Sequence, residues 1–197
     1  MALEHHYHMS VEEYFALEEQ HPETRYEYVD GYVYMMAGGT IDHDTIKSNM
    51  ERILWGLLRG SRCRTFSSDM CVFISTTRYY HPDVTVGCNP GDRGTKKRVQ
   101  FPRVVVEVLS PSTETTDRRE KLRDYLACST IEEYLLVDSR LRRVELYRKE
   151  EKKWLYTSFQ DEDEIELTSL GVHFPLAAAY EDVVFTEDIS EKDANEI

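Results

Sequence analysis

The chain contains no run of eighteen apolar residues, and its amino terminus carries no basic stretch followed by an apolar one. Neither a membrane-spanning helix nor a secretory signal is expected. Its four cysteines, Cys63, Cys71, Cys88 and Cys128, lie far apart, with no CxxC pair. That spacing offers neither a zinc motif nor a disulfide framework, so four reduced thiols in a cytoplasmic protein are expected. Positive charge is scarce: 24 Lys and Arg face 37 Asp and Glu, a formal net of −13. In bulk, such a balance argues against a polyanionic partner. No phosphate-binding loop or dinucleotide fingerprint is present, because Gly38-Gly39 lacks the required spacing. No G-x-S-x-G frame surrounds Ser110 or Ser112, which read as helix caps.

What is present suits one domain. Of 197 residues, 41% are hydrophobic and 11% aromatic, enough for a sizeable core. Residues 1–9, with His5, His6 and His8, read as a leader outside the fold, and 187–197 as an acidic tail. The domain is expected over 10–186. Ser10-Val-Glu-Glu13 fits a capping box at the head of a helix running to about Gln20. Asp30-Gly31 divides two aromatic and β-branched runs, a hairpin signal. From Ile41 to Arg59 the pattern is helical, with Ile46, Met50, Ile53, Leu54, Leu57 and Leu58 along one face. Asp42 or Asp44 would cap it. Strands are expected at Cys71–Ser75, Asp83–Gly87, Val104–Leu109, Glu133–Asp138, Arg143–Tyr147 and Trp154–Ser158, with a crossover helix from Glu114 to Cys128. The order implies a mixed α/β sheet flanked by helices, with the strands at Val104 and Glu133 parallel.

Within this frame a few polar residues stand out. Glu107 interrupts the apolar run Val-Val-Val-Glu-Val-Leu, where a carboxylate is costly unless paired or bound to a cation. Asp83 follows Pro82 at the head of another strand. Opposed on adjacent strands, the two would form an oxygen-rich pocket suited to Mg²⁺. Glu27 lies in the hairpin, and Lys121 in the second turn of the crossover helix, on one face with Asp117. Each has an ordinary alternative: a turn contact for Asp83, an arginine partner for Glu107, solvent for Glu27, and a surface pair with Asp117 or Glu120 for Lys121. His43 and Asp44 near the long helix's start could line the cleft, with helix capping by Asp42 or Asp44 as the ordinary reading, and His81 beside Pro82-Asp83 is left without a role.

Tyr26-Glu-Tyr-Val-Asp-Gly31, Pro82-Asp83-Val84, Pro102 to Leu109 running into Ser110-Pro-Ser-Thr113, Asp117-Arg-Arg-Glu-Lys-Leu122 and Glu133-Tyr-Leu-Leu-Val-Asp138 belong together. From about Val11 to Phe185, the chain resembles the Uma-type restriction endonucleases. This resemblance implies the restriction-endonuclease-like fold of the PD-(D/E)xK nucleases, Mg²⁺-dependent phosphodiester hydrolysis with Mn²⁺ as a substitute, and homodimers. It assigns Asp83 to the PD element, Glu107 to the second acidic position and Glu27 to the acidic residue of the early hairpin. The lysine that the superfamily places two residues after Glu107 is here Leu109, and Lys121 in the following helix takes its place. Asp83, Glu107 and the Val108 carbonyl would hold the ion.

Two function classes follow: a metal-dependent endonuclease acting on nucleic acid, with DNA the expected polymer, or a nuclease-fold protein that binds nucleic acid or protein without cutting. A hydrolase of small phosphoesters is a third. Charge no longer excludes a nucleic acid. From Glu150 to Ile197 the net is −11, and the preceding 149 residues carry only −2. Basic groups cluster at Arg59, Arg62 and Arg64, from Arg93 through Lys96, Lys97 and Arg98 to Arg103, and at Arg118, Arg119 and Arg123.

Overall fold

A computed structural model describes residues 8–36, 38–95 and 97–185. The acidic tail, most of the leader and Lys96 lie outside the described residues. At the amino-terminal end, Ser10 Oγ accepts from Glu13 N and Glu13 Oε2 accepts from Ser10 N, starting helix α1 (Val11–Gln20). The hairpin β1 (Tyr26–Val29) and β2 (Tyr32–Met35) turns at Asp30 and Gly31, both with positive φ (48° and 95°). That conformation matches the twist of the flanking strands and favours Asp-Gly. Met9 belongs to the fold rather than to a leader: its N–H donates to the Gly31 carbonyl, and its own carbonyl accepts from Tyr28 Oη.

Helix α2 (Ile41–Leu57) is capped by Thr40, whose Oγ1 accepts from His43 N, and not by Asp42 or Asp44. Ile46, Met50 and Leu54 form its fully buried stripe, while Leu57 is turned to solvent. Strands β3 (Arg64–Ser67), β4 (Cys71–Ser75), β5 (Arg78–Tyr80), β6 (Val84–Gly87), β7 (Arg98–Val99) and β8 (Pro102–Leu109) follow. The crossover helix runs in three stretches: α3 (Glu114–Thr116), a π-helical turn (Asp117–Lys121) and α4 (Leu122–Ala127). Then come β9 (Glu133–Asp138), β10 (Arg143–Glu150), β11 (Lys153–Gln160), β12 (Glu164–Leu167), β13 (Val172–Pro175) and α5 (Leu176–Ala179).

Two large sheets result. One holds six strands in the order β11-β10-β9-β8-β6-β3, the other five in the order β2-β1-β5-β4-β7, and β12 pairs β13 separately. As expected, β8 and β9 are parallel and joined by the crossover helix. Valines cover both faces of β8 because both faces are buried. Val104, Val106 and Val108 pack with Ile46, Met50 and Leu54 of α2. Val105 and Leu109 pack with Tyr125, Tyr134 and the second sheet's Val72 and Tyr80. A smaller aromatic cluster of Tyr14, Tyr28 and Tyr79 seats α1 on the five-stranded sheet. The fold is mixed α/β.

The cysteine expectation is corrected in part. Cys63 and Cys88 form a disulfide, and only Cys71 and Cys128 are free thiols. The antiparallel register of β3 and β6 sets Arg64 opposite Gly87, which brings the residues just outside that pair face to face. Twenty-five positions of sequence separation hid this contact. Closing a loop of that size stabilises a fold by about 3 kcal/mol in the chain-entropy account. Titration in denaturant should therefore count two thiols before reduction and four after it. Reduction should also lower unfolding stability in urea by about 3 kcal/mol. Four thiols before reduction would restore the all-reduced expectation.

Candidate active site

The register of β6 against β8 pairs Val84 with Val106, so Asp83 and Glu107 meet at the next position along the two strands. Asp83 Oδ2 accepts from Val108 N (2.8 Å), which fixes the carboxylate against the strand that carries Glu107. Strand β8 ends at Leu109, and the chain re-enters the crossover helix within a few residues. Its π-helical turn therefore lies over the end of β8. Lys121 points down from that turn and places Nζ 2.8 Å from Glu27 Oε1 and 3.1 Å from Glu107 Oε1. Asp117, one turn earlier, stands 3.5 Å from the same ammonium.

All four residues named from the sequence thus converge; Glu107 has a lysine rather than an arginine as its partner, and Lys121 meets Asp117, but in a buried setting rather than at the surface. Glu107 is 3% exposed and has no arginine; its Oε1 accepts from Lys121 Nζ and from Tyr125 Oη (2.7 Å). Glu27 is directed inward by β1, and Lys121 is buried at 5% exposure. The Val108 backbone lies at the site, where its N–H serves Asp83.

Three further residues complete the group. Asp117 Oδ1 is buried and has no hydrogen-bond partner. His43, on the first turn of α2, sets Nε2 3.4 Å from Asp83 Oδ2. Tyr125 supplies the hydroxyl to Glu107. The i, i+4 relation of Asp117 to Lys121 was the sequence signal for the first. For His43 it was the place near the start of the long helix; for Tyr125, spacing along the chain carried no such signal. Ser110 and Ser112 do not cap the helix: their hydroxyls bond each other (2.9 Å), Ser110 also meets Thr113, and Thr113 is the cap position without a side-chain bond. The ring of His81 faces away, towards Ser68 and Glu18.

Charge accounting separates this site from the other buried acids. Glu133 meets Arg148, Asp138 meets Arg140 and Arg143, and Glu145 meets Arg118. At the candidate site Glu27, Asp83, Glu107 and Asp117 carry four formal negative charges against one lysine. A protonated His43 still leaves two in excess. Burial pushes the Glu107 carboxyl well above its usual range, with Lys121 opposing and the neighbouring carboxylates adding to the rise. Asp117 is raised chiefly by burial, again against Lys121. Burial alone would lower the Lys121 ammonium, yet Glu107, Glu27 and Asp117 hold it well above normal. His43 is raised by its contact with Asp83. A pocket of about 60 Å³ opens between His43, Asp83, Glu107, Asp117 and Lys121, with Ser110 at its rim.

Comparison with known proteins decides the family. The profile of the Uma2 family, described as "Putative restriction endonuclease", matches residues 11–179. The chain belongs to the Uma2 family. It is 37% identical over 179 residues to the protein slr1290 of Synechocystis sp. (strain ATCC 27184 / PCC 6803 / Kazusa), covering 90% of this chain and 94% of that one. A second protein of the same strain, sll1609, is 30% identical over 169 residues, with 83% and 95% covered. Among solved structures, the chain resembles that of a protein from Anabaena variabilis ATCC 29413 titled a putative nuclease belonging to DUF820. The TM-score is 0.67 at 18% identity, covering 82% of this chain and 93% of that one. That likeness shows that this Uma2 chain shares its mixed α/β fold with that structure.

The excess of carboxylates makes Lys121 a structural element of the site. Replacing it as Lys121→Met leaves buried carboxylates without their cation, a loss of about 3–5 kcal/mol at pH 8. Glu107 has a folded-state pKa above its unfolded one, so the native state binds more protons between those values and gains stability as pH falls. The variant's deficit in urea unfolding should therefore shrink on going from pH 8 towards pH 5. A deficit independent of pH would rule out this electrostatic account.

Proposed function

We propose that this Uma2 chain is a Mg²⁺-dependent endonuclease that hydrolyses phosphodiester bonds in DNA. The observation that carries the reading is the uncompensated charge: Glu27, Glu107 and Asp117 surround one ammonium, Asp83 stands opposite Glu107 beside His43, and one buried oxygen, Asp117 Oδ1, has no hydrogen-bond partner. Residues present fit a hard divalent ion, which prefers carboxylate and carbonyl oxygen and would offset the two excess charges.

Asp83 and Glu107 would hold that ion, with the Val108 carbonyl and Asp117 as further oxygen donors. When bound, Mg²⁺ would supply Lewis-acid stabilisation of charge developing on the phosphoryl group. The chain's own residues would do the positioning. The Val108 N–H keeps Asp83 in one orientation. Tyr125 gives its hydroxyl hydrogen to Glu107 and so holds that carboxylate on the pocket side of β8. Lys121 is a fixed ammonium donor; it would orient the nucleophilic water or a phosphate oxygen in a low-dielectric setting. Glu27 holds Lys121 from the opposite side. The raised pKa of His43 keeps a donor beside Asp83 at the mouth of the pocket.

Phosphate contacts would come from the basic clusters, although several of these groups already have partners. Arg118 pairs with Glu114 and Glu145, Arg103 with Glu132, Lys97 with Glu19, and Arg98 lies over Phe15. Binding should accordingly be weak and fall with salt. No helix among the described residues is long and apolar enough to cross a membrane.

With Mg²⁺ or Mn²⁺, the purified chain should nick or cut DNA. Asp83→Asn and Glu107→Gln should each lower the rate by at least ~10²-fold, the scale of losing one electrostatic stabiliser. Unchanged activity in both variants would sink the assignment. Metal binding by calorimetry that depends on Asp83 and Glu107, without cleavage, would turn the reading to a non-cleaving nuclease-fold binder. Cleavage of a chromogenic phosphodiester but not of DNA would point to small phosphoesters.

A further inference from the structure

A second group of metal-ligating side chains lies on the other side of His81. Glu18 from the last turns of α1, Cys71 at the start of β4 and His81 just after β5 each place a ligand atom within 4.8 Å of the other two. The tautomer of His81 is set by its neighbours. Nδ1 lies 2.9 Å from the Ser68 carbonyl, which only accepts, so Nδ1 carries the hydrogen. Nε2 then faces Glu18 Oε1 at 2.9 Å. With Nδ1 committed to that carbonyl, Nε2 is the ring nitrogen directed at Glu18, and it shares that position with either a proton or a metal ion. Cys71 Sγ adjoins the same spot. Its neighbour Tyr14 Oη, 3.7 Å away, gives its hydrogen to the Tyr26 carbonyl and has none to offer the sulfur.

We propose that Glu18, Cys71 and His81 form a zinc site, distinct from the carboxylate site and independent of the nuclease reading. Thiolate, imidazole and carboxylate are a borderline-soft donor set that selects Zn²⁺ over Mg²⁺. An imidazole whose second nitrogen is tied to a backbone carbonyl is the usual supported form of a zinc-binding histidine. Zinc bonds of the normal lengths set ligand atoms roughly 3.3–3.8 Å apart in a tetrahedron. Side-chain shifts of up to about 1 Å bring the present spacings into that range, the 2.9 Å separation of His81 and Glu18 by opening and the longer ones, none above 4.8 Å, by closing. The charges of Cys71 and Glu18 balance a divalent ion. The three ligands line a pocket of about 480 Å³ with Arg25, Asp69 and Arg98, which leaves the fourth position to a water from that side. Ligands drawn from three distant segments escape any test of CxxC spacing. Bound there, the ion would tie α1 to the five-stranded sheet and fix the chain two residues before Asp83.

The test uses the full chain with His5→Ala, His6→Ala and His8→Ala, which removes competing imidazoles, after treatment with a chelator. Co²⁺ should bind one equivalent with a thiolate-to-metal charge-transfer absorption, be displaced by Zn²⁺ and resist a large excess of Mg²⁺. Cys71→Ser should remove that absorption, and Glu18→Gln and His81→Asn should weaken binding at least tenfold. A hundredfold excess of Zn²⁺ over its dissociation constant should raise the melting temperature by about 5–10 °C. X-ray absorption of the zinc-loaded protein with its ligands unaltered should show one sulfur on the metal, a readout that needs no ligand variant to fold. A shell of nitrogen and oxygen only, a charge-transfer band that survives Cys71→Ser, or no zinc binding at all would overturn the proposal and leave a protonated His81–Glu18 pair.

Discussion

The buried contact between Glu107 and Lys121 is the constraint on which the other features turn. A carboxylate in the middle of a valine strand is tolerable only where a cation reaches it in the same low-dielectric space. Lys121 does so because the crossover helix returns over the end of β8, and Glu27, Asp117 and Tyr125 crowd around the same two groups. One lysine cannot neutralise so many acids. The chain keeps a local deficit of positive charge there, whereas the buried Asp124, Glu133, Asp138 and Glu145 each meet an arginine.

That deficit is also what connects the fold to its chemistry. The two strands that bring Asp83 and Glu107 together are interior strands of the six-stranded sheet: β8 lies between parallel β9 and antiparallel β6, and β6 is antiparallel to both β8 and β3. The hairpin carrying Glu27 belongs to the second sheet. The site therefore forms where two sheets and one helix meet, and it closes only when all three are in place. The pocket there, about 60 Å³ and lined by one histidine, one lysine and several carboxylates, is too small for a large organic ligand.

Much of this was legible from residue patterns. The capping box at Ser10, the Asp-Gly turn and the all-valine strand each encode local geometry, and each formed as read. Glu107 betrayed the site by interrupting an apolar run, and Lys121 by its spacing from that strand's end. What escaped notice depends on contacts between remote segments. The Cys63–Cys88 bond follows from strand register, and Tyr125 reaches the site by helix packing, whereas the place of His43 at the start of α2 already allowed it to line the cleft. Short strands such as β3 and β5 are held by sheet pairing rather than by their own composition. Leu57 was assigned inward because an ideal helical face does not show where the helix ends.

The valines of β8 carry one last consequence. Both faces of that strand are equally apolar, so sliding it by one residue against its partners would exchange one valine for another at almost no hydrophobic cost. Glu107 removes this degeneracy. In a shifted alignment its carboxylate would enter the valine and leucine cluster beneath α2, out of reach of Lys121 and Tyr125, at a cost of several kcal/mol. A single charged side chain thus selects one alignment among near-equivalent ones, and the residue least at home in the strand supplies the chain with its folding specificity.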